Sequence, residues 1–537
     1  MDPGQQANLT LTFRPVFDDS ASHESRCSGT GRADSVLEWP WDPIVNKTAG
    51  MNLSMRLVAL CLLAGVGCLI LPLGAIEKDN RGRWEKPIKK GPDKDVPGYL
   101  INLGPTGARG TLESKSFTVK YIFENSPAVG KLEIDDVITG VNGRKFEVAH
   151  TFGHHLTRMK KFPEIGYEGP LMDFGNAIEE SEGGDGRLIL MVTRDGKQQE
   201  VVIRLEAIGR FAKTYPFKCK KSQLLAERAA KYLTNHPFIQ KEQCHAKCMS
   251  GLALLASGQM DQATELAHSW LQAPRDGIWV WPVSYQCIFL SEYYLLSKDE
   301  KVLKTIQALA AKLETAQVED MTNYKDRTHG KMGNVGHKFR TGGFGHNTNV
   351  GGYGTMNITT ALALAAWELA KKCGAEVDQA KVDLGFDYLR KSTDETGYIG
   401  YHTKRGAYSA AGRQGLALIA HDLAGESKVN DEYINLVSSG LIRSKKYLND
   451  AHADNILSVC WGLLGSNVSG DEKTIREMMD YNLAWLNMAR CHDGSFVSLP
   501  GRDMYDKGYY MSSRLHLTAA MALVYAMEEP VLQIQGK

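Results

Sequence analysis

At 537 residues and 59.3 kDa the chain is too long for one small module, and 43% hydrophobic against 23% charged residues excludes global disorder. Lys and Arg (63) balance Asp and Glu (62), so there is no broad basic field of the kind that neutralises a nucleic-acid backbone, and no nucleic-acid partner is expected. Residues 1–50 are polar and precede a segment with the layout of a signal peptide. Arg56 is followed by a run without charge from Leu57 to Leu73 and then by the small pair Gly74-Ala75. The run is slightly short for a bilayer span. These features predict a non-native N-terminal extension at 1–50, a signal peptide at 51–75 cleaved near Ala75, and export to the periplasm or beyond. An uncleaved leader would be the only membrane attachment. Cys27, Cys61 and Cys68 lie in or before this leader, so seven cysteines remain, an odd number in which at least one thiol has no intrachain partner. Cys244 and Cys248, one helical turn apart, read as buried thiols or a local bridge. No metal site and no cofactor is expected.

A charged linker at 76–96 leads into short runs of strand character. Residues 98–103 precede a glycine-rich loop, Gly104 to Gly110, of the kind that turns backbone N–H groups toward an anion. Phe117 to Phe123 alternates as a half-buried strand does. Ser126-Pro127-Ala128 reads as a helix start, Leu132 to Val141 as a turn and strand, and Asn142-Gly143 as a type I′ hairpin. Asp173 to Glu180 reads as a helix, and two strands flank Asp195-Gly196. This order resembles a PDZ domain of the bacterial type over 97–209. The resemblance implies an extended peptide or protein C-terminus as partner, added as a strand beside 116–123 with its carboxylate at the 103–110 loop. Leu103, Gly104, Gly107, Gly110, Val119 and Ile178 are its implied peptide-binding residues. The loop departs from the family form, and Pro105 removes one donor.

From residue 222 the strands stop. About twelve helical segments follow in pairs, from 222–235 through 282–297, 355–372 and 409–423 to 512–528. A weak repeat marks several outer ends: Trp270-Leu271 before Asp276-Gly277, Tyr388-Leu389 before Gly397-Tyr398, and Trp485-Leu486 before Asp493-Gly494. These turns, with Pro500-Gly501-Arg502-Asp503-Met504-Tyr505, resemble the terpenoid cyclase and protein prenyltransferase superfamily. The implied fold is multidomain: a PDZ-like α+β module followed by an all-α (α/α)6 toroid over 222–537, the other reading of the helices being an ordinary solenoid. The order of leader, PDZ-like module and toroid also resembles a group of uncharacterised exported bacterial PDZ proteins.

Chemistry is expected at the axial cavity of such a toroid. The Gly/His-rich stretch 328–357 supplies His337, His346, Asn347 and Tyr353, and a later turn supplies His402 and Arg405. These types hold acid/base groups and neutral donors for an anionic intermediate. The acidic motif of class II cyclases and the Asp-Xaa-Cys of zinc prenyltransferases are absent, which disfavours both activities. Two functions are expected from different classes. One is a ligand-binding toroid with a peptide-binding module. The other is a glycan-active enzyme resembling a polysaccharide lyase, with an oligosaccharide as partner.

Overall fold

The computed structural model describes residues 99–150, 167–236, 244–271, 280–319, 341–346, 354–402, 411–425, 431–448, 455–497 and 514–537, all within one compact unit. The leader, the linker, His337, Asn347, Tyr353, Arg405 and the Pro500 to Tyr505 stretch lie outside the described residues.

The N-terminal region is an antiparallel sheet of seven strands. They are β1 (Tyr99–Asn102), β2 (Ala108–Glu113), β3 (Ser116–Ile122), β4 (Val137–Val141), β5 (Arg144–Lys145), β6 (Arg187–Arg194) and β7 (Lys197–Arg204). Their order is β1-β2-β3-β4-β6-β7, with β5 on β4. Asn142-Gly143 and Asp195-Gly196 both have φ positive at each position, as a two-residue hairpin matched to strand twist requires. Helix α1 (Pro170–Glu182) begins at a proline and covers β4 and β6. Phe117 of β3 packs edge-on between Phe146 and Phe174, at 5.9 and 5.6 Å. The helix expected at Pro127 is one isolated turn, closed by Leu132 N–H to Ala128 O at 3.0 Å. Gly130 at φ +69 ends it.

The C-terminal region contains twelve described α-helices. Six are mostly apolar and buried on nearly every face: α3 (Cys244–Ala256), α5 (Val280–Ser297), α7 (Asn357–Lys372), α9 (Ala411–Leu423), α11 (Asn455–Val468) and α13 (Arg514–Tyr525). The other six are two-faced: α2 (Lys220–Thr234), α4 (Met260–His268), α6 (Leu303–Glu314), α8 (Gln379–Lys391), α10 (Glu432–Arg443) and α12 (Glu472–Ala489). A helix without a polar face must be covered all round. Accordingly α3 packs on α5, α5 on α7, α7 on α9, α9 on α11, α11 on α13, and α13 back on α3, a closed ring, while the two-faced helices lie against these six. Asp378, Asp431 and Asp471 cap the starts of α8, α10 and α12 by accepting backbone N–H groups. The tightest ring contact joins α9 and α11 through glycines. A Cβ on Gly415 would stand 1.9 Å from Trp461 O, and one on Gly465 would stand 2.2 Å from Gly415 Cα. The repeat turns recur as structure: Gly397 and Gly494 both have positive φ, inside the bridges Thr393 to Ile399 and Arg490 to Phe496.

The two regions share a buried polar seam. Arg490, just past α12, forms a two-pronged ion pair with Glu182 at the end of α1, 2.7 Å on each prong. Lys221 of α2 reaches Glu182 at 2.8 Å and Glu179 at 2.5 Å. Asn487 donates to Glu179 Oε2 at 3.2 Å and to Gly175 O at 3.3 Å. Gly175 has no room for a side chain, because a Cβ there would stand 2.4 Å from Ala484 O. Burial alone would raise the Glu182 carboxyl, but Arg490 and Lys221 outweigh it and hold the group below its ordinary range.

Gly415→Ala should destabilise the protein by about 2 kcal/mol in urea unfolding, because backbone rather than a movable side chain is in the way. Gly184→Ala, whose new Cβ meets nothing closer than 3.4 Å, should change stability by less than about 0.5 kcal/mol. Arg490→Met should cost about 3 kcal/mol at neutral pH by leaving buried Glu182 with Lys221 as its remaining cation. Glu182 is depressed in the folded state, so its contribution is full above the unfolded carboxyl value of about 4.3 and is lost as pH falls through the lower folded value. The gap between Arg490→Met and the parent should therefore narrow in acid.

Candidate functional site

Neighbouring ring helices approach one another near their N-terminal ends. His245, the second residue of α3, lies 5.6 Å between ring centres from His516 of α13 and 6.0 Å from Tyr285 of α5. Trp461 of α11 donates its indole N–H to Tyr285 Oη at 3.1 Å. α5 meets the segment before α7 through Val280 N–H to His346 O at 2.8 Å. α7 meets the segment before α9 through Asn357 Nδ2 to Gly400 O at 2.8 Å and Asn357 N–H to Tyr401 O at 3.0 Å. Gly412 of α9 lies against Leu457 and Ser458 of α11. The ring helices thus run in one direction, and their positive dipole ends face one mouth.

Two expected residues, His346 and His402, come together at this mouth, and each is half-buried. Trp281 donates its Nε1–H to His346 Nδ1 at 2.9 Å. Nδ1 is therefore the acceptor, and neutral His346 carries its proton on Nε2. His402 Nδ1 lies 2.6 Å from Thr355 O, a carbonyl that only accepts, so the proton of neutral His402 is on Nδ1 and Nε2 is the basic nitrogen. The two imidazoles are held in opposite tautomers. Burial lowers the proton affinity of His346 from its ordinary value, and His402 lowers it further. Arg413 of α9 is buried, donates Nε–H to Ile399 O at 2.8 Å and lies over the Tyr401 ring at 5.8 Å. Asn357 Oδ1 is buried without a hydrogen-bond partner among the described residues. An acceptor in that state calls for a donor from a guest or a water.

Sequence reasoning missed Trp281, Tyr285, His245 and Arg413 as parts of this mouth. A signal was present: in otherwise apolar ring helices, the second or third residue is His245, Trp281, Arg413 or His516. Among the described residues no cluster of three or more His, Cys, Asp or Glu is placed to hold a metal ion. The seven described cysteines are all free, with Cys244 and Cys248 sulfurs 4.0 Å apart.

The six residues expected to bind a peptide are buried, and the seat expected for its terminus is filled from within the chain. Strand β3, expected to accept a guest, already has β2 on one side and β4 on the other. Val119, at its centre, exchanges backbone hydrogen bonds with Asp135 and Asp136. The loop's N–H groups serve the loop itself: Leu103 N–H goes to Ala108 O, Gly107 N–H to Gly104 O and Ala108 N–H to Thr106 Oγ1. Gly110 is inside β2, and a Cβ on Gly107 would collide with Ser126. What faces the loop is the end of α12. Asn102 donates to Met488 O at 2.6 Å and Arg490 O at 2.8 Å, and Gly104 lies between Ile178 and Asn487 O. The expected open groove is corrected to an internal joint, since helix-end carbonyls need donors as much as a guest would.

Fold and site together define a protein of two regions, an antiparallel sheet joined to paired helices whose buried members close a ring with a polar, aromatic mouth. A family model described as a domain of unknown function, DUF6288, matches residues 222–536, and the chain belongs to that family. No curated protein matches the chain.

The mouth yields a pH prediction. Because His346 is depressed below the ordinary histidine value of 6.5, the unfolded chain takes up a proton first as pH falls. The stability this site contributes should be full above about pH 6.5 and decline below it. Histidine NMR titration should find the His346 midpoint below the ordinary histidine value, and Trp281→Phe, which removes the donor to Nδ1, should raise it.

Proposed function

We propose that the chain is an exported protein whose helical region is an (α/α)6 toroid that binds an acidic oligosaccharide at the mouth of its inner helices. A PDZ-like module stands beside it, and the protein element that module holds is α12 of its own chain. The observation that carries the ligand assignment is the grouping of imidazole and guanidinium side chains near the N-terminal ends of neighbouring ring helices. Helix starts and cations favour negative charge. The buried acceptor on Asn357 favours a ligand that also carries hydroxyl donors. Tyr401, half-buried, adds aromatic surface. The leader, by its sequence layout, supports export. A second reading, an enzyme acting on such a glycan, is favoured by the opposite tautomers of His346 and His402.

A thermal-shift and calorimetric comparison of the purified chain with oligogalacturonate, cello-oligosaccharide and free-carboxylate peptides tests this. The acidic oligosaccharide should stabilise the fold, by about 2.7 kcal/mol at 100 times its dissociation constant. The effect should weaken from about 0.05 to about 0.5 M salt. Equal binding of the neutral sugar, or stabilisation by peptides alone, would remove the assignment.

A further inference from the structure

We propose that residues 531–536 form an acid-tightened bolt across the C-terminal end of the helix ring, held on the buried carboxyl of Glu292. The segment packs against α9 and α11, and Leu532 and Ile534 within it are fully buried. Burying two aliphatic side chains favours docking, but the backbone N–H groups that go in with them need acceptors inside the fold. Glu292, in the C-terminal half of α5, supplies two: Oε1 accepts the Ile534 N–H at 2.9 Å and Oε2 the Gln533 N–H at 3.1 Å. Asn467, at the end of α11, donates to Gln535 O at 2.9 Å. Gln535, itself buried, donates to Leu523 O of α13 at 3.0 Å and takes the N–H groups of Val531 and Leu532 on its side-chain oxygen. Three ring helices are thereby tied to one short segment, at the ends remote from His346 and His402. Among the described residues Glu292 is the one ionisable side chain that hydrogen-bonds the segment.

A charge on Glu292 is what this arrangement accommodates least well. Lys372 and Cys373 face it from the end of α7, and Lys537 faces it from beyond the segment. Cys373 donates its S–H to Ser291 O at 3.5 Å, and burial pushes that thiol up to about 11, so it stays neutral. Both lysines are exposed, and solvent screens them. Burial outweighs them and the two N–H bonds, and pushes the Glu292 carboxyl up to about 7. A neutral carboxyl keeps acceptor capacity on its oxygens, so docking survives the proton. Once the segment leaves, Glu292 meets water and returns toward the ordinary carboxyl value of about 4.3. The docked state therefore binds the proton more tightly than the open one. Its advantage is full below about 4.3, falls about tenfold for each pH unit above that, and is lost once the pH has passed about 7. Acid shuts this end of the ring and neutral solution loosens it, whatever the opposite mouth binds.

Hydrogen exchange of the full chain, read by mass spectrometry from about pH 4.5 to about pH 8 and corrected for the pH dependence of chemical exchange, tests the bolt. The expected result is an opening of 531–536 that rises at least about thirtyfold between about pH 5 and about pH 7 and then levels off. Helix α8, which holds none of the groups named above, should keep its protection over the same range. Glu292→Gln, which cannot ionise, should flatten the profile of the segment. Protection of 531–536 that does not change with pH in the parent overturns the bolt. So does a slope that Glu292→Gln leaves intact, or a loss shared equally by α8, which is opening of the whole fold. Should Glu292→Gln fail to fold, carbon-13 spectra of the parent labelled at its glutamate carboxyls decide instead: a Glu292 midpoint above about 6 supports the bolt, and a lower one overturns it.

Discussion

Six helices buried on nearly every face impose the constraint on which the rest of this molecule depends. Each of α3, α5, α7, α9, α11 and α13 must be surrounded by other helices, because a buried helix left with one side in water forfeits the apolar burial that holds it. Closing them on one another provides neighbours on two sides, and the two-faced helices provide the third. Glycines set how closely the ring can close: Gly412 and Gly415 against Gly462 and Gly465 bring α9 and α11 nearly backbone to backbone. Alternation of ring and two-faced helices along the chain then forces each ring helix to re-enter from the same end. The polar mouth is a consequence of that direction, since first-turn side chains of neighbouring ring helices gather at the same end.

The sheet region meets a different requirement. The end of α12 leaves carbonyls at Asn487, Met488 and Arg490, and the following turn buries a guanidinium. Donors and a counter-charge must come from elsewhere, and α1 and the β1 loop supply them: Asn102 for the carbonyls, Glu182 for Arg490, and Lys221 to balance the acidic pair Glu179 and Glu182. A buried ion pair adds little to stability compared with an apolar contact of the same size, but losing one partner is costly. The seam therefore acts more as a lock on register between the regions than as a source of binding energy. The family match covers only residues 222–536, yet the carbonyls at the end of α12, inside that span, are answered by Asn102, outside it.

Much of this was legible from the sequence because periodicity and turn chemistry are local. Asn142-Gly143 and Asp195-Gly196 specify their hairpins through φ alone, and the helices fall where apolar spacing puts them. The occupied edge of β3 was not legible, because the partners of Val119 lie at Asp135 and Asp136, and a strand of alternating residues looks the same at a sheet edge or beside a neighbour. The glycine-rich loop misled for a related reason. Glycine permits N–H groups to converge on an anion but does not require it, and here Thr106 and Ala108 take them back. His346 and His402 were visible as residue types, but their roles were not. Tautomers are set by Trp281 and Thr355, and no spacing rule links an indole 65 positions away to a histidine in a loop.

That last point separates the two kinds of information the mouth contains. Charge and helix direction follow from the fold and would attract any anion, whatever its chemistry. The tautomers are more selective, because each depends on one hydrogen bond to a ring nitrogen, from the Trp281 indole in one case and to the Thr355 carbonyl in the other. Trp281 is buried near the start of a ring helix, and its N–H would be satisfied by water if it faced outward. Turning it onto His346 uses a buried donor to decide which nitrogen of that histidine faces away. Packing alone is indifferent to that choice, since an imidazole fills the same volume in either tautomer. A site that only attracted anions would be equally served by a protonated histidine, which donates from both nitrogens. Holding His346 neutral gives up that charge in a mouth otherwise suited to anions. The loss is intelligible if the neutral donor beside a neutral acceptor is itself the feature the arrangement maintains.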